Sequence, residues 1–201
     1  MLSSLTKIIA NRPVAVLLPG PSIKNFKKGK YCYATVNHYW LFEEAFDVKF
    51  EIVLAAAVEN TESIVRYFEF SKRDNVAFIT TDALGLEGIK FKTDEPNIVR
   101  KIPTEEEPLS FRALPSFALL ILLLTIAGAK KIILFGADGG EVEGEPLYWG
   151  EWPSASRGRI DMDTRILNQA FPIILRRVCK LYGIDKPEIK NMSPKSHYTC
   201  F

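Results

Sequence analysis

The sequence predicts an α/β protein with a Rossmann-like, doubly wound and mostly parallel sheet, helices on both faces of that sheet and a flexible lid. Short apolar runs typical of strands alternate with helical segments along most of the chain. Residues 50–58 are apolar almost throughout, as in a strand covered on both faces. Glycine or polar residues follow the predicted strands at Gly20, Asn37 and Asp138. Alternating strands and helices build parallel sheets, whose ligands lie at the carboxyl ends of the strands.

The first half of the chain supplies four of the predicted strands. They are rich in β-branched, aliphatic and aromatic residues and lie at 14–18, 31–36, 50–58 and 75–81. Helices are predicted at residues 1–11, before the first strand, and at 59–71, where apolar residues recur at helical spacing. Prolines, glycines and charges interrupt any periodicity at about 83–112, which predicts an active-site flap or a partner contact.

The most apolar stretch of the chain is residues 117–129. It is shorter than the roughly 20 residues that a membrane-spanning helix needs, and lysines follow it. We therefore predict a buried helix and no transmembrane segment, with membrane insertion as the minor alternative. Pro115 and Ser116 are typical of its start and Gly128 of its end. A strand at 131–135 follows.

The last quarter of the chain contains the predicted lid. Residues at about 139–160 combine glycines with acidic, basic and aromatic side chains, a composition typical of a segment that closes over a site. Asp161 or Asp163 is predicted to cap the last long helix, because apolar residues recur at helical spacing after them. A strand at 188–192 and a polar tail complete a chain in which we see neither repeats nor a second domain.

Length and charge limit the classes of partner. A chain of 201 residues is predicted to form one domain, residues 1–201, and its formal net charge of +2 is too small to argue for nucleic acid or a membrane surface. Cys32, Cys179 and Cys200 are odd in number and lack metal-ligand spacing, so we expect reduced structural thiols and no metal centre among them. Residues 1–12 lack the charged start, long apolar core and small-residue cleavage site of a signal peptide, so none is expected there. These features favour the cytoplasm, with peripheral attachment to the inner face of the membrane as an alternative.

The turn that ends the first strand is the strongest candidate for a ligand site. Gly20 follows Pro19, and glycine lets a ligand come close to the main chain. Pro21 and Ser22 then open a short helix, which Ser22 is expected to cap and whose free N–H groups attract anions. These features predict a phosphate or nucleotide site. The alternative is a rigid turn with no ligand.

The second strand ends in a polar residue followed by aromatic ones. Asn37 is placed to orient a base or a sugar, whereas Trp40 and Phe46 are expected to belong to the core. The chain has two histidines: we expect His38 to pack among the aromatics and His197 to lie in the polar tail.

Three segments together resemble one superfamily. Residues 14–23 are similar to its opening strand followed by Gly-Pro-Ser and an aliphatic residue, and Asn37 to the Asn at the end of its second strand. Residues 116–138 resemble its helix, glycine, charged residue, aliphatic strand and Gly-x-Asp. The superfamily includes the bacterial sialyltransferases that make lipooligosaccharide, the motility-associated flagellin glycosyltransferases and the 6-hydroxymethylpterin pyrophosphokinase-like proteins.

The resemblance implies roles for individual residues of this chain. Gly20, Pro21 and Ser22 would contact the phosphate or ribose of a nucleotide, with Asn37 and Ser116 at its base or donor group. Gly136 and Gly139, in the turn after the strand at 131–135, would also belong to the binding site. Tyr148 falls where the sialyltransferases have a tyrosine that stabilises the departing phosphate. Asp138, Asp161, Tyr148 and Arg157 are the resulting catalytic candidates.

The chain also departs from that pattern. Pro19 stands where the sialyltransferases have Asn, and the histidine that they use as general base before the last helix is absent. Asp161 and Asp163 lie in the corresponding stretch, where a carboxylate serves either as a base or as a helix cap. Arg157 offers a guanidinium for the departing phosphate.

Three functions are compatible with these residues. The leading one is a glycosyltransferase of cell-surface glycan synthesis that uses a CMP- or UDP-linked sugar and a small-molecule or glycan acceptor, with no tightly bound cofactor. The second is a magnesium-dependent pyrophosphokinase-like transferase, in which Asp138 and glutamates at 141, 143 or 145 would hold the ion. The third is a nucleotide-binding module without catalysis. Each is compatible with a homo-oligomer and none requires nucleic acid.

Overall fold

The computed structural model describes residues 2–55, 69–80, 115–140, 142, 144 and 157–201. Its strands are β1 (Val14–Leu17), β2 (Cys32–Val36), β3 (Ile52–Ala55), β4 (Ala77–Thr80), β5 (Lys131–Phe135) and β6 (Glu188–Asn191). Its α-helices are α1 (Leu2–Ile9), α2 (Glu43–Phe46), α3 (Ser116–Ile126) and α4 (Arg157–Tyr182), with 3₁₀ helices at Pro21–Asn25 and Asn37–Phe42 and further helical residues at 69–71. The predicted flap lies outside the described residues, as do most of the lid and of the helix at 59–71.

The described strands form one parallel sheet in the order β4-β3-β2-β1-β5-β6. β1 lies at its centre, with Val14 opposite Cys32 of β2 on one side and Ile132 of β5 on the other. The predicted α/β class with a parallel sheet is therefore confirmed.

Each face of the sheet carries its own core, because alternate residues of a strand point to opposite faces. Val14 and Val16 belong to the core that α1, α3 and α4 cover, together with Leu120 and Phe171. Ala15 and Leu17 belong to an aromatic core on the other face, with Tyr39, Trp40, Phe50, Phe70 and Phe78. Trp40 is buried and Phe46 packs against this core, as predicted. The sheet is thus enclosed by helical segments on both faces.

The apolar run of α3 is buried against the sheet and α4. Eight of its eleven residues are buried, from Phe117 to Thr125. Pro115 precedes the first helical residue and Gly128 follows the last turn with a φ of +88°. Within the described residues, no helix combines the length and the apolar character needed to cross a bilayer.

Two predicted helix starts are wrong. α4 begins at Arg157, so Asp161 and Asp163 lie inside it rather than at its cap. Gly158 is a poor helix former, but it costs only about 1 kcal/mol relative to alanine, which the rest of this 26-residue helix offsets.

Ser22 does not cap the first 3₁₀ helix either: Gly20 occupies the capping position without a side-chain hydrogen bond. The Ser22 hydroxyl instead donates to a carboxylate, which is the stronger acceptor.

The cysteines are free thiols. Cys32 and Cys179 are buried, and Cys200 is half-buried. Burial raises the pKa of Cys32 to about 12 and that of Cys200 to about 11. Because the thiolate is the reactive form, these two side chains are poor nucleophiles and fit the predicted structural role.

Candidate functional site

The strand order predicts a ligand crevice beside the loops that follow β1 and β5. From β1 the chain continues to β2 on one side of the sheet, whereas from β5 it continues to β6 on the other side. In open α/β sheets, ligands bind outside the carboxyl ends of the strands at such a switch point. The loops concerned are residues 18–22 after β1, the β1 loop, and residues 136–140 after β5, the β5 loop.

The two loops contact each other through their main chains. The Leu18 amide donates to the Phe135 carbonyl over 2.9 Å, and the Gly20 amide donates to the Gly136 carbonyl over 3.0 Å. A Cβ atom on Gly20 would lie 2.3 Å from the Gly136 oxygen and 2.2 Å from Asp138 Oδ2. The sequence predicts that Gly20 lets a ligand approach the main chain; in the structure, the β5 loop lies against Gly20.

Asp138 lies at the centre of the site. Its Oδ2 accepts hydrogen bonds from the Ser22 amide at 3.0 Å and from the Ser22 hydroxyl at 2.9 Å. The Ser22 oxygen also lies 2.8 Å from Ser193 Oγ, just after β6. A hydroxyl carries one hydrogen, so with Ser22 donating to Asp138, Ser193 donates to Ser22. This chain of hydroxyls joins the carboxyl ends of β1, β5 and β6.

The other oxygen of Asp138 is unsatisfied within the described residues. The Asp138 side chain is 1% exposed, and its Oδ1 is buried without a hydrogen-bond partner there. Burial raises the pKa of Asp138, while the hydrogen bonds from Ser22 and the nearby polar groups of His197 and Ser193 oppose that rise. Asp138 is therefore a buried acid with one free acceptor atom.

The C-terminal tail, residues 193–201, covers the β5 loop. The His197 amide donates to the Asp138 carbonyl over 2.7 Å, and Ser196 Oγ donates to the Ala137 carbonyl over 2.6 Å. Aromatic contacts anchor the tail: the ring centroid of Tyr198 lies 5.1 Å from that of Phe117, and that of Phe201 lies 5.2 Å from that of Phe171.

Sequence reasoning missed these tail residues as part of the site. Ser193, Ser196 and His197 stand in a polar stretch that we predicted only as a tail. Tyr198 and Phe201 could have revealed this role. Large aromatic side chains in a polar terminal segment indicate that the segment packs against the rest of the domain.

The other predicted binding residues lie at the same edge of the sheet. Pro21 is buried in the β1 loop, and Gly139 has a φ of +74° next to the Tyr198 ring. Ser116 is the first residue of α3, beside the Phe117 that contacts the tail. Asn37 follows β2 with a φ of +51°, which asparagine tolerates better than most residues.

For the catalytic candidates of the predicted lid and of the helix after it, the structure gives at most a position along the chain. Tyr148 lies outside the described residues. Arg157 and Asp161 lie on the first turns of α4, and their side chains are not described. Thr164, one turn beyond Asp161, donates to the Gly139 carbonyl over 2.7 Å and so fixes this end of α4 beside the β5 loop.

No protein-family model, curated protein or solved structure matches the chain. Across the described ranges, no group of three His, Cys, Asp or Glu side chains is arranged to hold a metal ion. Glutamates 141, 143 and 145 of the magnesium hypothesis lie outside those ranges.

The raised pKa of Asp138 gives a testable pH dependence. The folded chain binds this proton more tightly than the unfolded chain, whose pKa is near the ordinary 3.8. The contribution of Asp138 to stability is therefore largest at low pH and is lost as pH rises through the folded pKa. We expect Asp138→Asn to gain stability relative to wild type as pH rises from the ordinary 3.8 through the higher pKa of the folded state.

Urea unfolding of both proteins across this range measures that difference. Asp185→Asn, which removes an exposed carboxylate, controls for the change in net charge. A difference between wild type and Asp138→Asn that is constant with pH, or that changes in the opposite direction, would contradict the assigned burial of Asp138.

Proposed function

We propose that the chain is a nucleotide-sugar-dependent glycosyltransferase that binds the nucleotide of its donor in the crevice between the β1 and β5 loops. The observation that carries the proposal is the switch point between β1 and β5, where a buried carboxylate, one of whose oxygens has no partner among the described residues, lies between two glycine-containing loops. The resemblance of residues 14–23 and 116–138 to the sialyltransferase superfamily supports the choice of a nucleotide and of sugar transfer.

Within this proposal, Asp138 belongs to the binding machinery. It is buried, and its Oδ2 is committed to Ser22. The general base that activates the acceptor hydroxyl is then assigned to Asp161, whose helix begins at the carboxyl end of the sheet. Tyr148 and Arg157 are assigned to the departing phosphate, on which a phenol and a guanidinium stabilise negative charge.

Nucleotide-dependent stabilisation tests the proposal. A ligand that binds only the folded state raises the melting temperature. We expect metal-independent stabilisation of the full chain by CMP or UDP in a panel that also contains CDP, GDP, ADP and ATP, each with and without magnesium. At 100 times the dissociation constant, the gain is about 2.7 kcal/mol.

The other outcomes of this panel point to different functions. Stabilisation only by ATP or ADP with magnesium would replace the proposal by the pyrophosphokinase-like reaction. Binding of CMP or UDP without hydrolysis or transfer of any CMP- or UDP-linked sugar would indicate a binding module. No shift with any nucleotide would refute the proposal.

A further inference from the structure

The hydrogen-bond donors closest to Asp138 in the β1 loop and the tail are already used. Both donors of Ser22, its amide and its hydroxyl, face Asp138 Oδ2. The Gly20 amide donates to Gly136, and the His197 amide donates to the Asp138 carbonyl. An anion site needs free donors, and here an internal carboxylate already takes those of Ser22.

A phosphate is poorly suited to this position. Its oxygens accept hydrogen bonds and carry negative charge, and at Ser22 they would compete with the carboxylate of Asp138 for the same two donors. Like charges at close range in a site of low dielectric constant repel each other strongly. The phosphates of a bound nucleotide therefore belong away from Asp138.

The side chain of Asp138 offers a ligand a hydrogen-bond acceptor. Asp138 Oδ1 is buried and has no partner within the described residues, an unfavourable state for a carboxylate oxygen. A hydroxyl group would satisfy it. We infer that Asp138 Oδ1 accepts a hydrogen bond from a ribose hydroxyl, so that this edge of the sheet binds the sugar of the nucleotide and not its phosphate.

This inference rests on the proposed function and specifies which part of the nucleotide lies at Asp138. Because Oδ1 is shielded from solvent, a segment around it must move to admit the hydroxyl. The tail is the best candidate, since the hydrogen bonds between Asn168 and its residues His197 and Thr199 are exposed and easily exchanged with water.

Matched nucleotides test the inference on the wild-type chain. Titration calorimetry would compare CMP, UMP, AMP and GMP with their 2′-deoxy and 3′-deoxy counterparts. For a nucleotide that binds, removal of the recognised hydroxyl is expected to weaken binding roughly 10- to 100-fold, the effect of losing one hydrogen bond to a charged group. Inorganic phosphate should not compete.

Equal affinities for the ribose and both deoxyribose forms would overturn the inference and leave the proposed function standing. Competition by inorganic phosphate at concentrations that displace the nucleotide would also overturn it, because phosphate would then occupy the Ser22 turn. Failure of every nucleotide to bind would overturn both proposals.

Asp138→Asn tests the residue itself. The amide keeps one oxygen for Ser22 and presents an NH₂ group where Oδ1 stood, so the preference for the ribose form is expected to vanish. Asp185→Asn, at an exposed position, should keep it. Retention of the preference in a folded Asp138→Asn variant would overturn the assignment, and if that variant does not fold, the wild-type comparison decides.

Discussion

Gly136→Ala is expected to lower the free energy of unfolding by about 3–5 kcal/mol, one of the largest effects of any single substitution in this chain. Gly136 has a φ of +70°, which costs an alanine roughly 1–2 kcal/mol by itself. Its Cβ would also lie 2.0 Å from the Leu18 carbonyl oxygen. Because that oxygen belongs to the backbone of the β1 loop, relief requires the two loops to separate.

Gly183→Ala is the matched control. Gly183 also has a positive φ, +60°, but apart from its chain neighbours no atom of the described residues lies within 4 Å of the position of its Cβ. It should therefore show only the backbone cost of about 1–2 kcal/mol. Urea unfolding followed by circular dichroism measures both variants, and equal losses would contradict the close contact of the β1 and β5 loops.

Phe171→Ala is expected to cost about 3–5 kcal/mol, the usual range for a buried phenylalanine. Phe171 lies on the face of α4 that is fully buried in the core, and its ring contacts Phe201 of the tail. The cavity would remove an anchor of the segment that brings Ser193 and His197 to Asp138. We therefore also expect faster proteolytic cleavage within residues 193–201.

Ile173→Ala provides the control in the same helix. Ile173 is 48% exposed, so its truncation should change the free energy of unfolding by no more than about 1 kcal/mol and leave the tail protected. If Phe171→Ala left tail cleavage at the wild-type rate, the aromatic anchor would not be what holds the tail over the β5 loop.

The sheet and most helices could be predicted because their signals are local. β1, β2 and β5 are short apolar runs bounded by turn residues, and α3 is too apolar to lie anywhere but in the core. The start of α4 could not be placed, because Asp161 and Asp163 are typical of a cap but are equally compatible with a helix that begins earlier.

The candidate site was predicted in part. Gly20, Ser22 and Asp138 were recognised because glycine and polar residues that follow strands meet at one edge of a parallel sheet. Their interactions were not: Ser22 was expected to cap a helix and bonds to Asp138 instead. The assigned roles of Asp161, Tyr148 and Arg157 remain predictions.

The sequence by itself determined the α/β class, the central position of the β1 turn and the free state of the thiols, since hydrophobic periodicity, turn chemistry and cysteine spacing are properties of short segments. Only the tertiary structure decided that Asp138 occupies the donors of Ser22 and that the tail closes over the β5 loop. The contacts of Ser22 with Asp138 and with Ser193 of the tail join residues 116 and 171 positions apart in the chain. Packing of the sheet, which brings the ends of β1, β5 and β6 together, sets such contacts, and no local pattern encodes them.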